Sequence, residues 1–413
     1  MKTINAKSGS HLGIKTRNIY LMYAIGLLQG MVFYGPVATL YREARGVSVF
    51  QITVIESISL ALCLLLEFPW GILADKIGYK KTILICNFLY FFSKLVFWKA
   101  DSFGCFLLER IMISIVIAGL SGVDTALLYL SCEEEQNGTC QEHSLQGKSH
   151  QVFSIYNSLQ TAGLLFAAFL FSQTPQMTTG GYSLAAFLTV ISYGLAALFS
   201  LGLSDVKRKE EPHRFPDFIF LLKQMLTDKY LLLFLISVAL LNESHQTITV
   251  FLSQLQYVKC GLSDSSIGYI YIAATIAGLC GALSAQITKK LGMPCTASLL
   301  FFSASGACLV LALTGSAWLS ISGILTLRIA FSLFQPLQSE LQNRQVSTAD
   351  RATALSIQAV IIDSVGIGTN IAFGSLAQQG LSYALLLGAF LCLAGGFFFR
   401  LWYRKRGQSK TPQ

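Results

Sequence analysis

Long apolar runs and short polar interruptions set the pattern of this chain. Twelve runs recur, at roughly 17–41, 50–74, 82–99, 104–128, 152–173, 181–203, 230–252, 265–287, 294–314, 316–341, 351–374 and 381–403. Each approaches the ~20 residues a helix needs to cross the hydrocarbon core of a bilayer, and exceeds the ~9–11 residues of a membrane strand. They are continuous rather than alternating, so they predict helices. In lipid, a helix also satisfies every backbone N–H and C=O within one segment. The longest polar stretch, Ser204 to Lys229, separates six runs from six. The expected fold is an all-α integral membrane protein with 12 transmembrane helices in two six-helix bundles, residues 1–203 and 230–413, joined by a central cytoplasmic loop, 204–229.

Within that loop Phe218, Leu221, Leu222 and Met225 recur at helical spacing. They predict a short amphipathic helix lying on the inner membrane surface. A partner-binding helix is the weaker alternative. The halves also echo each other. Arg110-Ile-Met-Ile-Ser114 in the fourth run matches Arg328-Ile-Ala-Phe-Ser332 in the tenth, and Gly71-Ile-Leu73 has a faded copy in Gly281-Ala-Leu283, followed by Lys289 and Lys290. Both offsets are close to half the chain, as expected of a six-plus-six duplication.

Charge adds orientation. Only 12% of residues are charged, against roughly 25% in soluble domains, so most of the surface faces lipid. The net charge of +9 could suggest nucleic acid, but its distribution points elsewhere. With the N-terminus in the cytoplasm, 23 of the 30 Lys and Arg fall in cytoplasmic segments and span ends. Arg42, Arg45, Lys99 and Lys259 fall outside, and Lys94, Arg110 and Arg328 lie within spans. This positive-inside bias places both termini in the cytoplasm of a multi-pass cell-membrane protein that has no nucleic-acid partner. The first apolar run is too long for a cleavable signal peptide.

Of the ten cysteines, seven lie in or at the ends of spans and act there as small hydrophobes. Cys132 and Cys140 flank a segment placed in the reducing cytoplasm, where a structural disulfide is not expected. The Asn137-Gly-Thr139 sequon lies on the same, unglycosylated side. No Cys/His spacing fits a metal, and no cofactor is expected.

The most distinctive stretch is LEFPWGILADKIGYKK, Leu66 to Lys81. A short link with Asp75, Lys76, Lys80 and Lys81 cannot sit in lipid, so it belongs at the cytoplasmic face between two spans. Gly71, Leu73, Ala74, Asp75, Lys76, Gly78 and Lys80 match the pattern G-x-L-A-D-R-x-G-R-K, and in this the chain resembles the major facilitator superfamily. Tyr79 stands where that family usually has Arg. The resemblance implies the twelve-span transporter fold. It also implies that Gly71, Asp75, Gly78, Lys80 and Lys81 form an inter-half latch against the start of the eleventh span, near Ser347–Arg351. Glu67-Phe-Pro69-Trp-Gly71 and Ser121-Gly-Val-Asp124-Thr-Ala-Leu-Leu-Tyr129 resemble a bacterial branch that includes drug and tetracycline exporters. The fifth span, YNSLQTAGLLFAAF, departs from that branch because it lacks the Gly-Pro antiporter motif.

Ionisable groups inside spans are costly and mark function or gating. Near the outer side lie Glu56, Lys94, Glu109 and Arg110, with Glu56 and Lys94 at similar depth and able to pair. Arg110 is also a substrate candidate, since the resemblance implies a functional arginine in the fourth span. Nearer the inner side lie Glu67, Asp75 and Asp124, with Asp124 within reach of Lys80 or Lys81 and therefore assigned to the gate. At mid-depth the run Asn242-Glu-Ser-His-Gln-Thr247, Arg328 and Asp363 imply a cavity or the seam between halves. Glu67, Glu243, Asp363 and His245 are the proton-coupling candidates, with Arg328 expected to act on the carboxylates. Gln29, Tyr34, Asn157, Gln160, Asn242 and Gln246 complete the expected cavity wall.

The function expected is secondary active transport by alternating access in a monomer embedded in the lipid bilayer, with protons as coupling ion and a small organic molecule as substrate. Export of an amphiphilic compound or drug is favoured over import of a small metabolite. A membrane enzyme is disfavoured because only one His lies in a span and no nucleophilic or metal-like spacing occurs. A sensor of this fold is expected to carry an appended soluble domain, which these residues do not suggest. The chain has no G-x-x-x-x-G-K-[ST], so no ATP-driven pump is expected.

Overall fold

The computed structural model describes residues 14–136, 142–206, 222–346 and 351–408, and every element among them is helical. Twelve helical segments are long and apolar enough to cross a membrane. They are span 1 (Arg17–Glu43), span 2 (Val49–Glu67), span 3 (Tyr79–Lys99), span 4 (Phe103–Cys132), span 5 (Ser149–Gln173) and span 6 (Gly180–Leu201). The second six are span 7 (Lys229–Lys259), span 8 (Asp264–Leu291), span 9 (Met293–Leu313), span 10 (Ala317–Asn343), span 11 (Ala354–Gln379) and span 12 (Leu381–Lys405). The expected all-α, twelve-span architecture is therefore what the chain adopts. Phe218 and Leu221 of the expected interfacial helix, the Asn137–Thr139 sequon, Cys140 and residues 347–350 lie outside the described residues.

The packing repeats with the sequence. Span 1 packs on spans 5 and 6, span 2 on span 4, and span 3 on spans 4 and 6. Six spans later the pattern recurs, with span 7 on spans 11 and 12, span 8 on span 10, and span 9 on spans 10 and 12. Two seams join the halves, span 2 against span 11 and span 5 against span 8, and these exchange under the same relation.

The corners between spans show the duplication more sharply than the residues do. Span 1 ends on Gly46 (φ +78°), with Val47 N–H donating to the Arg42 carbonyl at 3.1 Å, and Ser48 then caps the next helix. Span 7 ends on Gly261 (φ +77°), with Leu262 N–H donating to the Tyr257 carbonyl at 3.1 Å, and Ser263 caps the next helix. This is the Schellman ending followed by a serine N-cap, built twice. At the other end of spans 2 and 8 a single residue turns the chain, Gly78 (φ +90°) or Gly292 (φ +78°). A positive φ of this kind costs a residue with a Cβ, so glycine is required. Thr82 and Thr296 then return their hydroxyls to the carbonyls of these glycines, at 3.0 and 2.9 Å. The expected polar loop at Asp75–Lys81 is thus a one-residue corner. Lys76 ends one helix, and Lys80 and Lys81 begin the next.

Among the described residues four spans are irregular in their interior. Span 4 breaks at Ser121–Gly122, where Gly122 has φ +76°. Span 1 breaks after Gly30 and resumes through a 3-10 turn at Gly35–Val37, where Pro36 has no N–H to offer. Span 7 carries a π-helical turn at Thr247–Leu252, and span 8 a 3-10 stretch at Gly278–Leu283. Such departures cost backbone geometry and concentrate at functional positions.

The end bearing Lys76, Lys80, Lys81, Lys289 and Lys290 is called here the lysine-rich end, and the opposite one the far end. Both seams are closed towards the far end, where span 1 also meets span 7 across the halves. Gln254 of span 7 accepts from the backbone N–H groups of Thr39 (2.8 Å) and Leu40 (3.4 Å). Gln173 donates to the Tyr269 hydroxyl (2.7 Å), and the Ser57 hydroxyl donates to the Ile367 carbonyl (3.1 Å). Towards the lysine-rich end a cavity of about 370 Å³ lies within the second half, between spans 7, 10 and 11, lined by Asn242, Gln338, Gln342 and Asp363 together with Leu355, Ala359 and Ile362.

Candidate functional site

In the first half three buried charges and the half-buried Arg110 neutralise one another. Arg110 donates to the Glu56 carboxylate, and Lys94 reaches Glu109 (3.2 Å) and the Tyr34 hydroxyl (3.1 Å). Glu109 is 1% exposed, and Glu56 and Lys94 are each 5% exposed. The expected pairing of Glu56 with Lys94 is therefore crossed. Glu109 and Arg110 are consecutive, so they project about 100° apart around span 4. One meets span 3 and the other meets span 2. Tyr34, expected on the cavity wall, is buried in this network and stacks on Phe97, with ring centroids 4.1 Å apart. Gln29 likewise turns into the first half and donates to Asn87 at 2.5 Å, a buried partner that the sequence reading missed.

In the second half the corresponding arginine has no such partner. Arg328 Nη1 lies 3.3 Å from His245 Nε2, and the guanidinium lies against Gly278. Among the described residues no carboxylate is within ion-pair distance of it. A guanidinium can only donate, so His245 Nε2 is an acceptor and the imidazole proton sits on Nδ1. That Nδ1 is buried and has no hydrogen-bond partner. The ring stacks on Phe331 at 3.8 Å and 4° between planes. The expected action of Arg328 on Glu243 and Asp363 is not seen. Glu243 lies two residues from His245, about 200° around span 7, and so faces span 11 instead.

There the Glu243 carboxylate occupies the space above Gly366. A Cβ at that glycine would lie 2.7 Å from the carboxyl carbon. Asp363, one turn earlier on span 11, lines the cavity. Asp363 of span 11 lies near enough to Glu243 of span 7 and to Glu67 of span 2 to interact with each electrostatically. Of the remaining cavity candidates, Asn242 lines the cavity, Gln246 and Asn157 are exposed, and Gln160 is half-buried with its backbone carbonyl against Gly30.

The latch candidates are less assembled. Gly71 is exposed with open space where a side chain would project, so it does not mediate a close helix contact here. Asp124, expected to meet Lys80 or Lys81, accepts from its neighbour Thr125 N–H (2.7 Å) and from the Tyr156 hydroxyl. It opens the helix Val123–Gln136, where the nearest unpaired donors are backbone N–H groups. The Asp75 side chain lies outside the described residues.

A model of the Major Facilitator Superfamily matches residues 19–369. The chain belongs to the Major Facilitator Superfamily. A search of curated proteins gave no match. Solved structures of similar fold include the nucleoside transporter NupG, at 15% identity and TM-score 0.77, covering 95% of this chain and 99% of that one. A POT family transporter in complex with 5-aminolevulinic acid aligns at 12% identity and TM-score 0.72, covering 94% and 96%. A D-xylose–proton symporter aligns at 14% identity and TM-score 0.66, covering 94% and 98%. At these identities the likeness establishes the fold. Superfamily membership makes the protein a transporter rather than an enzyme.

Proposed function

We propose that the protein is a proton-coupled secondary active transporter that moves a small organic solute by alternating access. The observation that carries this reading is the asymmetry of the seams. Hydrogen bonds tie the halves together towards the far end, while a cavity containing Asp363 lies towards the other end, within the second half between spans 7, 10 and 11. This is one of the two states such a mechanism requires. The positive-inside bias assigns the lysine-rich end to the cytoplasm, which makes this the inward-open state in a cell membrane. Residues 1–203 and 230–413 would then rock as two bodies about the central segment 204–229, with one chain as the working unit.

Asp363 and Glu243 are the assigned proton carriers, with Glu67 as a relay at the seam. Their support is position, since they are neighbouring acids with no basic partner among the described residues. The Glu56–Arg110 and Lys94–Glu109 pairs hold the first half rigid, and Asp75 with Lys80 and Lys81 serves the latch at the cytoplasmic face. Export of an amphiphilic compound is the favoured direction, on the resemblance of Glu67–Gly71 and Ser121–Tyr129 to an exporter branch. Import of a metabolite is the second reading. It is supported by the missing Pro in span 5 and by the fold shared with a nucleoside transporter and a D-xylose–proton symporter.

Reconstitution into liposomes tests the coupling. A solute found by thermal stabilisation of the purified protein should accumulate against its gradient when a pH gradient is imposed. Asp363→Asn or Glu243→Gln should abolish accumulation while solute exchange persists. Uphill transport unchanged in both variants removes these residues from the coupling role.

A further inference from the structure

We propose that Arg328, with His245, is the docking point for an oxyanion group of the transported solute, which makes the substrate an organic acid. This rests on the transporter reading above and adds the chemistry of its substrate.

The inference starts from the internal repeat. Superposing the corner Gly46–Ser48 on Gly261–Ser263 sets Tyr271 at the place of Glu56, and superposing Gly78 on Gly292 sets Cys308 at the place of Lys94. Superposing Arg110 on Arg328 sets Leu327 at the place of Glu109. Of the four mutually neutral charges in the first half, the second half keeps the arginine alone. It even keeps the local backbone device, for Ser114 and Ser332 each return a hydroxyl to the arginine carbonyl four residues back, at 2.9 and 2.8 Å.

A guanidinium inside a membrane protein without a counter-ion is expensive, and here the expense is not relieved by any described carboxylate. Its one side-chain partner, His245, adds a second unfilled demand, a buried Nδ1–H with no acceptor. Both groups can only donate to what arrives. An oxyanion satisfies the guanidinium, whereas a cation or a second donor does not, and His245, whose Nε2 faces Arg328, holds that guanidinium in place. The surroundings fit a solute with a planar or apolar body. Phe331 lies parallel to the imidazole, and the Tyr271 ring reaches across to Gly35 of the first half. The site is also where the helices are least regular, with the π-helical turn Thr247–Leu252 beginning two residues after His245 and the 3-10 stretch Gly278–Leu283 beginning at the glycine beneath the guanidinium. An anion bridging Arg328 thus touches spans 7, 8 and 10 together, and Tyr271 brings it next to span 1.

The test uses the full-length protein purified in detergent and a panel of aromatic and aliphatic carboxylates, each paired with its uncharged amide, with sodium sulfate as the inorganic anion. At least one carboxylate should raise the apparent melting temperature by about 2–4 °C, with its amide inert and sulfate no better. The shift should vanish in Arg328→Gln and return in part in Arg328→Lys. Tyr271→Glu should place a built-in carboxylate at the position of Glu56, and so remove the shift without removing the arginine. The unliganded Arg328→Gln protein should melt no lower than the parent. The proposal is overturned if amides match their acids, if sulfate alone reproduces the shift, if no carboxylate stabilises, if the shift survives Arg328→Gln, or if that unliganded variant melts as low as Arg110→Gln. Flux of the same acids in proteoliposomes separates the two claims. Binding without flux refutes transport and leaves the anion site standing, and flux of the amides without carboxylate binding does the reverse.

Discussion

Arg110 and Arg328 occupy matching places in the two halves, share the same serine back-bond, and have opposite surroundings. Arg110 sits on Glu56 beside the second pair Lys94–Glu109, so this cluster is electrically closed. Arg328 meets an imidazole, which itself stacks on Phe331, and a glycine. The contrast teaches that a duplicated frame need not keep duplicated chemistry. One half pairs Glu56, Lys94, Glu109 and Arg110 internally and leaves Glu67 of span 2 at the seam. The other leaves a cation and, on a different face of span 7, acids free to engage solute and protons.

The largest expected effect breaks that contrast directly. Arg110→Gln strands Glu56 in the interior and should cost about 3–5 kcal/mol of stability, read as a fall in apparent melting temperature. Arg328→Gln should cost little. Adding Glu56→Gln to Arg110→Gln should restore most of the loss, because the uncompensated charge is then gone. Equal losses at the two arginines erase the distinction. The next effect falls on these acids. Gly366→Ala drives a methyl into the Glu243 carboxylate, with an overpacking cost of about 1–3 kcal/mol and a loss of proton-driven accumulation greater than the loss of exchange. A variant with coupling intact shows that Glu243 need not sit on that glycine.

Smaller effects test the shared frame rather than its chemistry. Gly78→Ala and Gly292→Ala each impose a left-handed strain of about 1–2 kcal/mol, and the two costs should agree because the corners are alike. A thermal-melt series of both variants checks this. Ser332→Ala removes only a local hydroxyl bond and should shift stability by less than about 1 kcal/mol, whereas Ser114→Ala also removes the 2.8 Å bond to the Ser59 hydroxyl and should cost more. A large loss at Ser332 alone would mean that its back-bond positions Arg328.

The fold was legible because lipid demands it. Twelve apolar runs allow no other satisfied backbone, and the charges at their ends orient them. The duplication was visible at Arg110 and Arg328 but clearest at Gly46 and Gly261, whose backbone conformation no residue-type pattern reports. Side-chain partners were less legible. Glu56 was matched with the wrong cation because depth along a helix is readable from sequence, whereas the facing neighbour depends on how spans 2, 3 and 4 are rotated. Gln254, which ties span 7 to span 1, carries no signal beyond being polar in an apolar run. Asp124 was assigned to Lys80 or Lys81, whereas its carboxylate accepts from the N–H of the next residue, Thr125.

The central claim, that transport requires the closed far-end seam to open, is met most directly by pinning that seam shut. A Cβ at Gly268 of span 8 would lie 3.2 Å from the Ser172 Cβ of span 5, close to the ~3.5–4.5 Å that a disulfide spans. The protein carrying Ser172→Cys and Gly268→Cys should lose proton-driven flux in proteoliposomes when oxidised and regain it on reduction, with each single variant indifferent to both treatments. Full flux through the oxidised, verifiably cross-linked protein would contradict alternating access at this seam.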